Sequence, residues 1–309
     1  MSASNTPIAS SALSGAGTFL PRRSAVRQFV THALGLAVLL TAAGCGAASS
    51  PPAPAASVSP TGPREQSPVG IIAIGHSGLT GESSDPDRPG EDARQNSWAT
   101  GTNTEVQSVY TRMIAMRPET QGHASNRAEG GAVSGQLAGQ AAAALAEVSN
   151  PALAIIQTID NDIRCDGTDS QHIPELGAAV DKALQVITDE SPQTRVVVVG
   201  QLGRPATAAA AIAGDPGSKA GVTGTGICDF FDPNGTLVPS KIAALTAIIE
   251  GYESEQARVC ATYPQCSTDD GAFAAFVDTP GGLVFGHLTI AGHKQAATLI
   301  WPRVLPLLP

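Results

Sequence analysis

From residue 69 onward, short apolar runs alternate with stretches that repeat on a helical period. "VGIIAIG", "ALAIIQTI", "RVVVVGQ" and "AFAAFVD" are unbroken apolar segments of strand length. An unbroken run, rather than strict alternation, marks a strand whose two sheet faces are both covered. Between them lie helix candidates: "NTEVQSVYTRMIAM", "SGQLAGQAAAALAEV", "IPELGAAVDKALQVITD", "PSKIAALTAIIEGYESEQARVCATY" and "TIAGHKQAATLIWPRVL". Strand followed by helix throughout predicts an α/β domain with a parallel sheet and helices on both faces. No repeat and no further composition shift interrupts the pattern, so residues 68–309 are expected to form one domain.

The first 45 residues follow a different logic. Arg22, Arg23 and Arg27 form a basic region, and "HALGLAVLLTAAGC" is a short apolar run ending in small residues and a cysteine. The run falls short of the roughly 20 apolar residues needed to span a bilayer, and reads as an export signal. It resembles a bacterial lipoprotein signal, which would make Cys45 the lipidated first residue of the mature chain. The competing reading is an ordinary secretory signal with an incidental cysteine. Residues 46–67 are rich in Pro, Ala and Ser, cannot bury a core, and are expected to be a tether. Together these segments predict an exported protein, anchored by lipid to the outer face of the cytoplasmic membrane or else secreted.

Composition narrows the picture. Hydrophobic residues make up 42% of the chain and aromatics 4%, so the core must be mainly aliphatic. The formal charge is −9 and no basic stripe is present, which excludes a phosphate-backbone partner. Four cysteines follow Cys45: Cys165, Cys228, Cys260 and Cys266. An even number in an exported chain suggests two disulfides. Cys260 with Cys266 and Cys165 with Cys228 is a plausible pairing, among three connectivities that the sequence leaves open. The spacings do not suit zinc, and no metal or cofactor is expected.

In open α/β sheets, ligands bind beyond the carboxyl ends of the strands. Ser77, in "IIAIGHSGLTG", follows the first strand between flexible glycines. "NRAEGGAVSGQL" carries a glycine pair before a helix, "TIDNDIRCDG" sets Asn161 between two aspartates, and "GHLTIAGHKQAA" puts His287 just before a helix capped by Thr289. In this order the four stretches resemble the blocks of the SGNH hydrolases, or GDSL-type esterases, over about residues 70–300. The resemblance implies a three-layer α/β/α, flavodoxin-like domain. It makes Ser77 the nucleophile, His287 the base, and Gly131 and Asn161 donors to an oxyanion. A serine hydroxyl needs a base to become nucleophilic, and the oxyanion formed on an ester needs fixed donors. The implied activity is carboxylic ester hydrolysis, with an acyl group on a small molecule, lipid or sugar as substrate and a monomer as the working unit. A carbohydrate esterase, an acyltransferase and a non-catalytic binding lipoprotein are the alternatives.

Three positions depart from the family pattern. His76 stands where an aspartate is usual; neighbours in an extended segment point to opposite faces, so it is expected to face away and serve a local structural role. Ile159 stands where glycine is usual. Val284 replaces the aspartate that would orient His287, leaving a backbone carbonyl near Val284 or the side chain of Asp278 as acceptor. Elsewhere, Asp85, Asp87, Glu91 and Asp92 read as a solvated loop, Trp98 as core, and His293 as lying off the face needed for a metal pair with His287.

Overall fold

A computed structural model describes residues 67–214, 216–277, 281–284 and 286–308. The signal, Cys45, nearly all of the tether and Asp278 lie outside the described residues.

Five parallel strands form the sheet: β1 (Ile71–Gly75), β2 (Ala124–Asn126), β3 (Leu153–Gln157), β4 (Arg195–Val199) and β5 (Cys266–Thr268). Their order is β2-β1-β3-β4-β5, the flavodoxin-like arrangement. The helices are α1 (Val109–Met116), α2 (Leu137–Glu147), α3 (Asp169–Glu190), α4 (Pro205–Ala213), α5 (Pro216–Gly221), α6 (Pro239–Cys260) and α7 (Ile290–Val304). A short antiparallel hairpin, β6 (Leu283–Val284) and β7 (His287–Leu288), precedes α7.

Alternate residues of each strand serve opposite faces. Ile71, Ala73, Ile155 and Val197 pack with α1, α7, Trp98 and Phe273 on one side. Ile72, Ile74, Ile156 and Val198 pack with α2, α3 and the second half of α6 on the other. Both faces are covered, which explains the unbroken apolar runs. A third cluster (Ala209, Phe230, Phe231, Leu245 and Ile249) seats α4 and the segment before α6 on the first half of α6. The disulfides join Cys165 to Cys228 and Cys260 to Cys266.

Three expectations are corrected. "AFAAFVD" is not a strand: Phe273–Ala275 is a single 3₁₀ turn, and its Phe273 and Phe276 are buried under the α1/α7 face. The fifth strand lies earlier, at Cys266–Thr268, where the Cys260 disulfide returns the chain to the edge of β4. The first helix is shorter than its pattern; it begins at Val109 because Ser108 caps it, accepting from Thr111 N at 3.1 Å.

The chain leaves β1 for β2 on one side and returns to β3 on the other. The crevice between the carboxyl ends of β1 and β3 is therefore the topological switch point, where such sheets bind ligands.

Candidate active site

Ser77 is held by its neighbours on both sides. Gly75 ends β1 at φ +140°, opposite Gln157 in register. A Cβ there would lie 1.8 Å from the Gln157 carbonyl oxygen, so only glycine fits. The buried Gln140 of α2 clamps this peptide: its Oε1 accepts from Gly75 N at 2.7 Å and its Nε2 donates to Gly75 O at 3.0 Å. Ser77 then opens a 3₁₀ turn, Ser77–Leu79, capped by His76, whose Nδ1 accepts from Gly78 N at 3.1 Å. Trp98 Nε1 donates to Gly78 O at 3.0 Å, bracing the turn from below.

His287 arrives from the far end of the chain. It sits on β7 opposite Val284, two residues before Thr289, which caps α7 by accepting from Gly292 N at 3.2 Å. Thr289 Oγ1 also donates to Gly281 O at 2.6 Å, tying the helix start to the hairpin. His287 Nε2 lies 3.1 Å from Ser77 Oγ across 210 residues of sequence, within reach for proton transfer. The same nitrogen lies 3.5 Å from Glu82 Oε2. Glu82 belongs to the acidic segment after the nucleophile, but sequence reasoning singled out only Asp85, Asp87, Glu91 and Asp92 there. Of those, Asp85 is engaged with Arg88, which holds its carboxyl below the usual range.

The third loop adjoins the same crevice. Asn161 Nδ2 donates to Ala132 O at 2.9 Å, which joins this loop to the Gly130–Gly131 segment. An amide nitrogen carries a second hydrogen, so Asn161 retains a donor. Asp162 fixes the loop, accepting from Ser134 N at 3.0 Å, Ser134 Oγ at 2.7 Å and Thr158 Oγ1 at 2.8 Å. Gly131 stands at φ +73°, next to the carbonyl-bearing Ala132, and is not itself among the residues lining the cleft. Ile159, where the family resemblance expects glycine, adopts φ +108° and is fully buried.

His76 corrects a further expectation. Because Ser77 turns into a 3₁₀ segment, strand alternation no longer applies, and His76 lines the cleft beside it. It has the local structural role expected, as cap of the turn. Its Nε2 lies 3.0 Å from Asp160 Oδ2. Burial of Asp160 would raise its pKa, but the nearby charge and contact of His76, with Gln201 and His287, outweigh this and hold it low. Its side chain nonetheless keeps 36% of its surface open at the cleft.

The cleft is a cavity of about 270 Å³, lined by Ser77, Asn161 and His287. Gln157 and Gln201, from the ends of β3 and β4, contribute polar groups, while Leu202, Phe276 and Leu283 contribute apolar surface. Gln140, Glu82, Asp160 and Gln201 were not legible as site residues; a lone amide or carboxylate in a loop carries no spacing signal. Trp98 is wholly buried and meets Phe273 edge-on at 4.9 Å. His293 is buried too, its Nδ1 accepting from Trp98 N at 3.3 Å. Among the described residues, no His, Cys, Asp and Glu cluster could hold a metal ion.

No protein-family model and no curated protein matches this sequence. Among solved structures, the chain is similar to a protein from Parabacteroides merdae described as GDSL-lipase-like, at 13% identity and a TM-score of 0.49, over 78% of this chain and 97% of that one. It is similar to an extracellular lipase from Streptomyces rimosus at 16% identity and a TM-score of 0.46, over 75% and 98% of the two chains. A third likeness, to TesA, has 16% identity and a TM-score of 0.45 over 77% and 99%. With TM-scores below 0.5 these likenesses carry no argument here, and both the fold and the chemistry of the cleft stand on their own geometry.

Proposed function

We propose that this chain is an SGNH-type serine ester hydrolase, exported and lipid-anchored through Cys45. One observation carries the reading: Ser77 Oγ and His287 Nε2 meet at 3.1 Å at the switch point of a flavodoxin-like sheet. Ser77 Oγ attacks the ester carbonyl carbon as its proton passes to His287 Nε2. The oxyanion draws on the Ser77 N–H and the Asn161 amide, while Gly131 lies outside the cleft lining, on the segment that Asn161 holds through Ala132 O. His287 then gives the proton to the leaving alkoxide oxygen, leaving an acyl-enzyme. Water, deprotonated by the same nitrogen, releases the acid and restores Ser77. A carbonyl near Val284, which lies opposite His287 in the hairpin, or Asp278 orients the imidazole. At about 270 Å³ the cavity lies just below the usual ligand range of roughly 300–1,000 Å³. That favours short acyl groups.

The test is a fluorophosphonate probe on the soluble domain, with p-nitrophenyl acetate, butyrate and palmitate turnover alongside. The expected result is an adduct on Ser77, acetate and butyrate cleaved ahead of palmitate, and turnover lost by about 10³-fold or more in Ser77→Ala and His287→Ala. A folded domain with no adduct and no serine-dependent turnover would overturn the reading in favour of a binding protein. Asp278→Asn then separates a dyad from a triad. Anchoring is checked apart: the full chain in a bacterial host should fractionate with membranes, and Cys45→Ala should release it. Equal recovery of both forms would remove the lipid.

A further inference from the structure

His76 is buried to 97%, flanks the nucleophile, and takes no part in the mechanism above. Its ring is hydrogen-bonded at Nδ1, while Nε2 lies within ion-pair distance of a carboxylate without hydrogen-bond geometry. Nδ1 accepts the Gly78 N–H at 3.1 Å and so caps the turn that presents Ser77. Nε2 faces the Asp160 carboxylate at 3.0 Å. An Nδ1 that accepts carries no hydrogen, so the neutral ring must hold its proton on Nε2, the side of the carboxylate.

Protonation changes this arrangement in one place. The imidazolium is a donor at both nitrogens, so an Nδ1–H would face the Gly78 N–H, donor against donor. The contact with Asp160 would survive and strengthen; the cap would not. An aspartate or asparagine at this position would offer Gly78 an oxygen without that liability near neutral pH. The titratable groups around the ring are Asp160 from the loop after β3, His287 from the hairpin, and Glu82, which lies 3.5 Å from His287.

We infer that His76 is a positioning residue that makes the Ser77 turn proton-sensitive, through the loss of its Nδ1 cap on Gly78. This rests on the serine hydrolase reading and adds a second proton to its acid side. His287 must be neutral to accept the Ser77 proton, and His76 must be neutral to hold the turn.

The experiment is the rate of Ser77 labelling by a fluorophosphonate between pH 4.5 and 8, in the parent, His76→Asn and His76→Phe. On the acid side, the parent should lose about 10-fold more rate than His76→Asn, the cost of one lost hydrogen bond. His76→Asn, which keeps an acceptor for Gly78 but does not titrate, should label at neutral pH and fall with a slope of one. His76→Phe, which has no acceptor, should label at least about 10-fold more slowly at every pH, the size of one lost hydrogen bond. An equal acid-side loss in the parent and in His76→Asn overturns the inference while leaving the nucleophile in place. Absence of labelling at any pH in a folded parent overturns the hydrolase reading itself, and this inference with it.

Discussion

A nucleophile at the end of a strand needs its backbone fixed more than its side chain, and three residues far apart in sequence do this around Gly75. Gln157 pairs with it in register, Gln140 takes both its N–H and its carbonyl, and His76 caps the turn that follows. Gln140→Leu would leave the buried Gly75 N–H unpaired, while Gly75 O keeps its bond from Glu129 N at 3.1 Å, so stability should fall by roughly 1–3 kcal/mol. Urea unfolding reads that loss, and Ser77 labelling should slow with it; a change under about 1 kcal/mol would mean the clamp does not hold the turn. Ile159 shows the opposite case, where a residue resists its position. A β-branched side chain at φ +108° costs on the order of 1–3 kcal/mol, and such a conformation persists only when its surroundings impose it. Here they do. Ile159 O accepts from Asp162 N at 2.8 Å, the Asp162 carboxylate ties the loop to Ser134, and the Ile159 side chain is buried against α2 and α3.

At the scale of elements, what was legible in the sequence was what local pattern can encode. β1, β3 and β4 are apolar because they are covered on both faces, and α2, α3, α6 and α7 repeat on a helical period because one stripe of each meets the sheet. β2 and β5 escaped notice for a physical reason. Each is three residues long, lies at a sheet edge, and is only half buried in part, so neither accumulates an apolar run. "AFAAFVD" misled in the reverse sense, since burial of two phenylalanines demands apolar sequence whatever the backbone does. The site divides along the same line. Ser77, Asn161 and His287 were legible through the resemblance of four short blocks, taken in chain order, to the SGNH hydrolases; a strand end or a helix cap alone would not have marked them. Glu82, Gln140 and Asp160 were not legible, because only the tertiary fold brings them within reach.

For the molecule as a whole, the buried histidine on α7 couples folding to pH. His293 is enclosed by the α1/α7 face and accepts from Trp98 N; burial, reinforced by the neighbouring His287, pushes its pKa down to about 3. The unfolded chain would titrate this group near 6.5. The folded-state value is therefore depressed. The neutral ring contributes full stability above about pH 6.5, and that contribution is lost as pH falls toward 3, because only the unfolded chain takes up the proton. The loss amounts to about 1.4 kcal/mol per pH unit, or on the order of 3 kcal/mol between pH 6.5 and 4.5. The urea midpoint of the parent should drop over this interval. His293→Asn, which offers Trp98 N an oxygen in place of Nδ1 and cannot be protonated there, should remove that share of the drop while the carboxylates titrate as before. Its midpoint at pH 7 should be the lower of the two, since a smaller side chain leaves space in a packed interior. The two curves should therefore converge as the solution is acidified. Parallel curves would mean that the ring gains its proton without unfolding the domain, and that the α7 face opens to water while the rest of the sheet stays folded.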